Sequence, residues 1–401
     1  MPWKATCPMD ERLRFIAEYL EQEWSMTVLC RGYGISRKTG YKLLARYEES
    51  GPAGLQDRAR APHTHPNAVA AAVVTALLQL RARHPHWGPR KLRAWLARRN
   101  PAQRWPAAST VGSLLRRHGL TVPRRRRRRC PPATQPFLAV GAPNEVWCAD
   151  FKGWFRTGDG RRCDPFTLSD SASRFLLRCQ ALPRPDEAHV RPLCEAVFRE
   201  YGLPRALRSD NGPPFASLAA GGLSRLAVWW IKLGIQPERI APGHPEQNGR
   251  HERLHLTLKR ESATPPQATG RAQQRAFDHF RRVYNEERPH EALGQRPPAE
   301  VYTPSPRPYP ERVREPEYPV GQDIRRVRHN GEIRWRGQLV FISQCLAGEP
   351  IGLEEIGDGR WRVRFGPVEL GWLDARAHTL RLIGHHQHRP LTPKLLPMSP
   401  V

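Results

Sequence analysis

No stretch of this 401-residue chain approaches the roughly 18 consecutive apolar residues of a membrane span. Its first residues, MPWKATCPMDERLRF, lack the apolar core of a signal peptide. These two absences predict a cytoplasmic protein without a membrane partner. The eight cysteines, Cys7, Cys30, Cys130, Cys148, Cys163, Cys179, Cys194 and Cys345, form no CxxC pair. That scatter argues against a zinc site or a disulfide framework and reads as reduced core thiols. Acid is also scarce: Asp+Glu number 38 against Lys+Arg 65, a formal charge of +27. A field of that sign favours polyanions, either nucleic acid or an anionic membrane surface, and nucleic acid is the expected partner. A GC-rich genome could exchange Lys for Arg, but it would not create an excess of cations over anions. At roughly 150 residues per domain, the length predicts two to four units.

The N-terminal third is helical in pattern. DERLRFIAEYLEQ carries apolar residues near the i, i+3, i+4, i+7 spacing, with Asp10 as candidate N-cap. Ser25 can cap SMTVLCR, the stretch from Gly32 to Ile35 can turn, and Ser36 can cap SRKTGYKLLARYEES, which ends at Gly51. This is the layout of a helix-turn-helix over residues 1–60. It would present Arg37, Lys38, Thr39 and Lys42 to DNA; the alternative is a three-helix bundle with a solvated basic face. The pattern recurs over residues 66–122, a second, winged-helix-like helix-turn-helix, with Arg90, Lys91, Arg93, Arg116 and Arg117 as candidate contacts. His84, His86 and Trp87 lack a cysteine or carboxylate partner at metal spacing and read as turn and packing residues. Residues 123–142 form a basic, Pro-rich linker. Its uninterrupted run Arg124, Arg125, Arg126, Arg127, Arg128 and Arg129 could neutralise phosphates without reading sequence.

Beyond Pro143 the texture changes to strand-like runs. EVWCADFKGWF, RRCDPFTLSD and SRFLLRCQAL read as three antiparallel strands, followed by alternating helix and strand, so a mixed sheet covered by helices is expected. Asp150 closes one apolar run and Asp210 another, and Glu252 lies on a basic helix that opens after APGHPEQNG. Three acids from distant parts of the chain could then meet at one sheet edge and hold metal ions for cutting and joining DNA. From residue 319, alternating runs separated by NG and GDG turns predict a small β-barrel over residues 318–385. Residues 386–401 read as a flexible tail. The expected fold class is multidomain: N-terminal all-α helix-turn-helix modules, a central α/β mixed sheet and a C-terminal small all-β barrel.

The segments VWCADFKGWF, LSDSASRFLL, RSDNGPPFAS and HPEQNGRHERLHLTLKRE resemble the integrase-core (DDE) transposases of bacterial insertion sequences, relatives of retroviral integrases with a ribonuclease H-like fold. The resemblance covers residue 143 to about residue 298, within an expected core of residues 143–302. It implies a catalytic and metal-binding triad of Asp150, Asp210 and Glu252, two Mg²⁺ (or Mn²⁺) ions per active site, and phosphodiester hydrolysis followed by strand transfer. The expected partners are double-stranded DNA, as element terminal repeats and target, and further copies of the chain in a homo-oligomer; the expected location is the bacterial cytoplasm, associated with the nucleoid. Asn211 and Gly212 would shape the turn holding Asp210, Gly212 by its conformational freedom, and Asn248 would order the helix start. At about 100° per residue, Glu246 and Glu261 fall far from the face of Glu252, whereas Lys259 returns to within about 20° of it and could hold a DNA phosphate. Between Asp210 and Glu252 lie 41 residues, and the extra length is expected as an exposed loop in SLAAGGLSR. Asp170, a possible fourth acid, is expected to cap the turn SDSASR. The alternative function is a catalytically silent, sequence-specific DNA-binding regulator descended from such an enzyme.

Overall fold

The computed structural model describes residues 7–57, 68–121, 140–217, 219–240, 249–357, 359–374 and 379–382. They form two compact units, Met1–Val69 and Ala70–Val401. The first unit packs α1 (Pro8–Leu20), α2 (Met26–Gly32) and α3 (Arg37–Ser50) around Phe15, Ile16, Met26, Leu29, Cys30, Leu43 and Leu55. Asp10 is not the N-cap of α1. Pro8 starts the helix earlier, Cys7 is the cap, and the Asp10 carboxylate accepts from the Cys7 N–H at 3.2 Å. Ser36 does cap α3, accepting from Thr39 N–H at 3.2 Å. Gly40 is needed for space rather than for its backbone angles: a Cβ there would lie 2.5 Å from Cys30 Sγ and 2.8 Å from Met26 Sδ, so α3 could not approach α2.

The second unit begins with α4 (Ala71–Arg83), α5 (Pro89–Arg99) and α6 (Ala108–Arg117), which bury Leu77, Trp87, Leu92, Val111 and Leu115. No strand accompanies these helices among the described residues of this stretch. A mixed sheet follows: β1 (Val146–Phe151), β2 (Phe155–Arg156), β3 (Arg162–Asp170), β4 (Leu176–Leu182), β5 (Ala206–Ser209) and β6 (Gln236–Arg239). Strand β3 pairs with β2, β4 and β1, all antiparallel, whereas β1–β5 and β5–β6 are parallel. The reason lies in the connections: short turns join β1 to β4, and helices carry the chain into β5 and β6. One sheet face is covered by α7 (Glu187–Tyr201) and α8 (Arg225–Lys232), which bring Val190, Cys194, Val197, Phe198, Leu226 and Trp230 to the main core. The other is covered by α9 (Gly249–Leu258), a π-helical turn (Lys259–Ala263) and α10 (Gly270–Arg282). Between two helical layers, β3 is buried on both faces from Cys163 to Asp170, its polar Asp164, Thr167, Ser169 and Asp170 included.

The C-terminal region is an antiparallel sheet of β7 (Asp323–Arg326), β10 (Pro350–Gly357), β11 (Arg360–Phe365), β12 (Val368–Asp374) and β13 (Thr379–Leu382), in the order β13-β12-β11-β10-β7, with a hairpin of β8 (Glu332–Trp335) and β9 (Gln338–Phe341). Sheet and hairpin share one core with α8. SLAAGGLSR is not an exposed loop: Ala220 and Leu223 are buried in that core together with Ala227, Val228, Ile231, Val363, Phe365 and Leu370. The added length between Asp210 and Glu252 therefore seats the C-terminal sheet. Arg239 fixes the seat by donating to the carbonyls of Gly221 and Gly222 at 2.6 and 3.1 Å, and Lys232 pairs with Glu349 at 2.7 Å across the same junction.

Within the central sheet, Arg208 on β5 and Glu238 on β6 form a buried ion pair at 2.8 Å. Removing one partner strips the other buried charge of this pairing. Arg208→Met is expected to destabilise the second unit by about 3–5 kcal/mol, whereas Arg208→Met with Glu238→Leu recovers most of that loss. Urea melts of the two variants check it.

Candidate active site

The parallel pairing of β1 with β5 sets the geometry. Val146, Trp147 and Cys148 are paired with Ala206, Leu207 and Arg208, an offset of 60 residues. The same offset continued past the last pair brings Asp150 level with Asp210, at the carboxyl ends of neighbouring strands that run about 4.8 Å apart. Backbone N–H groups hold one oxygen of each acid: Phe151 N–H donates to Asp150 Oδ1 at 2.8 Å, and Gly212 N–H to Asp210 Oδ1 at 3.2 Å. Gly212 has no positive φ among the glycines that show one. Its role is spatial, because a Cβ there would sit 3.1 Å from Asp210 Oδ2. Asn211 donates from Nδ2 to the Ile240 carbonyl at 2.7 Å, tying the turn after β5 to the end of β6.

Glu252 reaches this edge from α9. Residues His251, Leu254, His255 and Leu258 are buried, the i, i+3, i+4, i+7 face that packs onto the sheet, and Glu252 is exposed beside that face. Its charge acts on Asp150. Burial first, then the charge of Asp210 and more weakly that of Glu252, push the Asp150 carboxyl up to about 8, against the Phe151 N–H and Lys152. Burial also raises Asp210. Two buried carboxyls, together with a glutamate whose charge bears on one of them, offer hard oxygen donors for a divalent cation, and the donor set fits Mg²⁺ or Mn²⁺.

Sequence reasoning missed the groups behind the acids. Thr167, opposite Asp150 in the β1–β3 register, lies with Oγ1 2.7 Å from His251 Nε2 and 2.8 Å from His255 Nε2. His255 Nδ1 is 3.9 Å from Asp150 Oδ2. Burial pushes the His251 imidazole down to about 3, and burial, then His251 and Lys152, put His255 well below its usual range. Ligand atoms of Asp150, His251 and His255 lie within 4.8 Å of one another, so this cluster also has metal-ligand chemistry. The signal was present in HERLHLTL, where the two histidines share the phase of Leu254 and Leu258. Lys152 is a second omission: burial, then the charge of Lys259, lower its amine, against Asp150. Lys259 is half-buried at the start of the π-helical turn.

The other acids have separate partners. Asp170 caps its turn, accepting from Ser173 N–H at 2.7 Å, Ser173 Oγ at 2.6 Å and Asn144 N–H at 2.8 Å. Glu261 pairs with Arg288. Among the candidate DNA contacts, Arg37, Lys38, Thr39 and Lys42 are exposed on the opening turns of α3, and Arg93, Arg116 and Arg117 are exposed on α5 and α6. Arg90 and Lys91 depart from expectation. Arg90 pairs with Glu291, and Lys91 donates to the Pro289 carbonyl, its amine lowered to about 7 by burial and by Arg288. Both are engaged by the segment that follows α10. His84 stacks on Trp87 with ring centroids 3.9 Å apart, a packing role. Arg124, Arg125, Arg126, Arg127, Arg128, Arg129 and Asn248 lie outside the described residues.

Residues 141–245 and 233–298 match two family models, both described as "Integrase core domain". Residues 11–63 match "Helix-turn-helix domain" and residues 39–115 match "Homeodomain-like domain". The chain is similar to the insertion element IS407 uncharacterized 31.7 kDa protein of Burkholderia multivorans, with 32% identity over 59% of this chain and 81% of the relative. It is also similar to transposase InsD for insertion element IS2D of Escherichia coli, with 26% identity over 69% of this chain and 90% of the relative. Among solved structures, a simian T-cell lymphotropic virus intasome in complex with PP2A regulatory subunit B56 gamma is 15% identical, with a TM-score of 0.36, over 73% of this chain and 97% of that one. That last likeness is too slight to carry an argument.

A raised carboxyl costs folding free energy from the pH at which the unfolded chain ionises. For Asp150 the cost is absent well below the ordinary value of 3.8, where folded and unfolded chains are both protonated, is still small near pH 4, and is complete only above about pH 8. Asp150→Asn is expected to raise the melting temperature of the metal-free protein at pH 8 by about 4 °C or more relative to wild type, with the gain closing as pH falls toward 4. Thermal melts across that range check it; a gain independent of pH would remove Asp150 from the acid cluster.

Proposed function

Because the chain belongs to the integrase-core family of insertion-element transposases, we propose that it is an active DNA transposase that binds the ends of its element, cleaves there and joins the cut 3′ end to target DNA. The observation that carries this reading is the register of β1 and β5, which brings Asp150 level with Asp210 while the charge of Glu252 bears on Asp150. Asp150, Asp210 and Glu252 would hold two Mg²⁺ or Mn²⁺ ions. Such ions, when bound, make an oxygen nucleophile more acidic and shield the charge on the leaving oxygen.

The protein's own groups divide the remaining work. Phe151 N–H and Gly212 N–H orient the two aspartates, and Asn211 holds the turn that carries one of them. Lys259, on the stretch that follows Glu252, holds a phosphate of the DNA being cut. Water attacks in the first step and the freed 3′-OH of the DNA in the second, so no covalent link to the protein is needed. Arg37, Lys38, Thr39 and Lys42 at the start of α3 enter a major groove. Arg93, Arg116 and Arg117 contact a neighbouring stretch, and the arginines at 124–129 supply salt-dependent backbone affinity. The C-terminal sheet and hairpin share one core, which supports reading them as a small barrel that contacts DNA backbone. Joining two element ends calls for more than one copy of the chain.

Glu252→Gln is expected to bind labelled terminal-repeat DNA within about two-fold of wild type while end cleavage in Mg²⁺ falls on the order of 100-fold or more. Gel-shift and cleavage assays on the same preparation check both halves. Equal cleavage by variant and wild type would remove Glu252 from the site, and absence of cleavage by a wild type that binds would remove the enzymatic reading.

A further inference from the structure

Packing divides the surface of α3 and leaves one aromatic side chain facing away from the protein. Gly40 and Leu43 are buried, and Leu44 and Tyr47 pack against the core of the first unit. At about 100° per residue these four positions occupy an arc of about 100°. Lys38, Tyr41, Lys42 and Ala45 occupy an arc of the same width on the opposite side, and all four are exposed. Tyr19, Tyr33 and Tyr47 pack against the core, whereas Tyr41 is 49% exposed. Core packing accounts for those three tyrosines and not for this one.

The flanks of the outward stripe are less suited to reading bases. Arg37 and Thr39 lie about 100° to either side of Lys38. The Thr39 hydroxyl is 2.9 Å from Ser36 Oγ, which also accepts from the Thr39 N–H at 3.2 Å, so that side chain belongs to the helix cap. From Lys38 to Ala45 the stripe runs about 10 Å along the axis, close to the roughly 12 Å width of a major groove. Glu48 and Glu49 follow, and their charge opposes a phosphate backbone, so the groove-facing length ends at Ala45. The small Ala45 lets the helix approach the base edges closely. Lys38 and Lys42 carry point charges on flexible stems and suit the phosphates of the groove walls. Tyr41 is uncharged and adds little to backbone affinity. Its ring offers apolar contact to the 5-methyl group of thymine, which base pairs display only in the major groove.

We propose that Tyr41 is a specificity-determining residue of the first helix-turn-helix, reading a thymine 5-methyl group while Lys38 and Lys42 hold the flanking phosphates. This assignment rests on the reading of α3 as the helix that enters the groove, and it adds which side chain reads the sequence there.

Gel shifts of the full chain on two duplexes test it, one the terminal-repeat DNA of the element and the other a scrambled duplex of equal length and composition. Tyr41→Ala should bind terminal-repeat DNA about ten-fold more weakly, bind the scrambled duplex within about two-fold of wild type and keep the wild-type salt slope. Tyr41→Phe, which keeps the ring, should retain the selectivity. Lys42→Ala should weaken binding to both duplexes and flatten the slope by about 0.9. Deoxyuridine placed at each thymine of the repeat in turn removes only the methyl group. One such replacement should cost wild type about four-fold and leave Tyr41→Ala unchanged. Equal losses on both duplexes, or undiminished selectivity in Tyr41→Ala, would overturn the assignment. So would a scan in which no thymine methyl matters to wild type, a result that depends on no variant. A wild type that does not prefer terminal-repeat DNA would remove the end-binding reading itself, and this assignment with it.

Discussion

The parallel hydrogen-bond ladder between β1 and β5 is the constraint from which the site follows. Antiparallel turns can bring β1, β3 and β4 together locally, but a parallel neighbour has to be carried back over the sheet by α7 before it can pair. Once it pairs, the 60-residue offset puts two acids at one level on adjacent strands. Their repulsion is held in place by neighbours that cannot move away: the buried faces of β1 and β5, the backbone N–H of Phe151 and the backbone N–H of Gly212. A divalent cation bound there would relieve the cost of keeping negative charge at that edge, so the feature that costs stability is also the one that fits the proposed function.

Helix α9 closes the arrangement through an unusual division of its surface. Its inward face is half apolar and half imidazole, with Leu254 and Leu258 packing into the layer beneath the sheet while His251 and His255 meet Thr167. An acid on that face would be buried without an escape for its charge. One position round from His251, Glu252 stays exposed and still exerts its charge on Asp150. Packing thus determines both where the glutamate stands and what stands behind the aspartate.

Two departures from expectation share a cause, which is that charged or small residues were assigned to solvent when tertiary neighbours claimed them. SLAAGGLSR has the composition of a loop, yet Ala220 and Leu223 lie under the C-terminal sheet and Arg239 holds the turn from behind. The C-terminal strands are therefore built onto α8 through a common apolar core. Arg90 and Lys91 look like groove-binding cations on an exposed helix start, but Glu291 and the Pro289 carbonyl engage them. The second helical module thus spends part of its basic surface on the segment after α10.

The sequence by itself determined the three kinds of region, the caps of α3 and the alternation of strands and helices in the core, because these depend on local periodicity and on residue chemistry. It also carried the histidine phase in HERLHLTL, although nothing local revealed what those rings would face. Only the tertiary structure decided that Thr167 joins them, since that contact spans 84 and 88 residues of chain. It likewise decided that a Cβ at position 212 would crowd Asp210 and that Lys91 is buried. The physical reason is common to all three: each depends on which groups a folded surface brings within a few ångströms, and that is a property of strand register and helix packing rather than of any short stretch of residues.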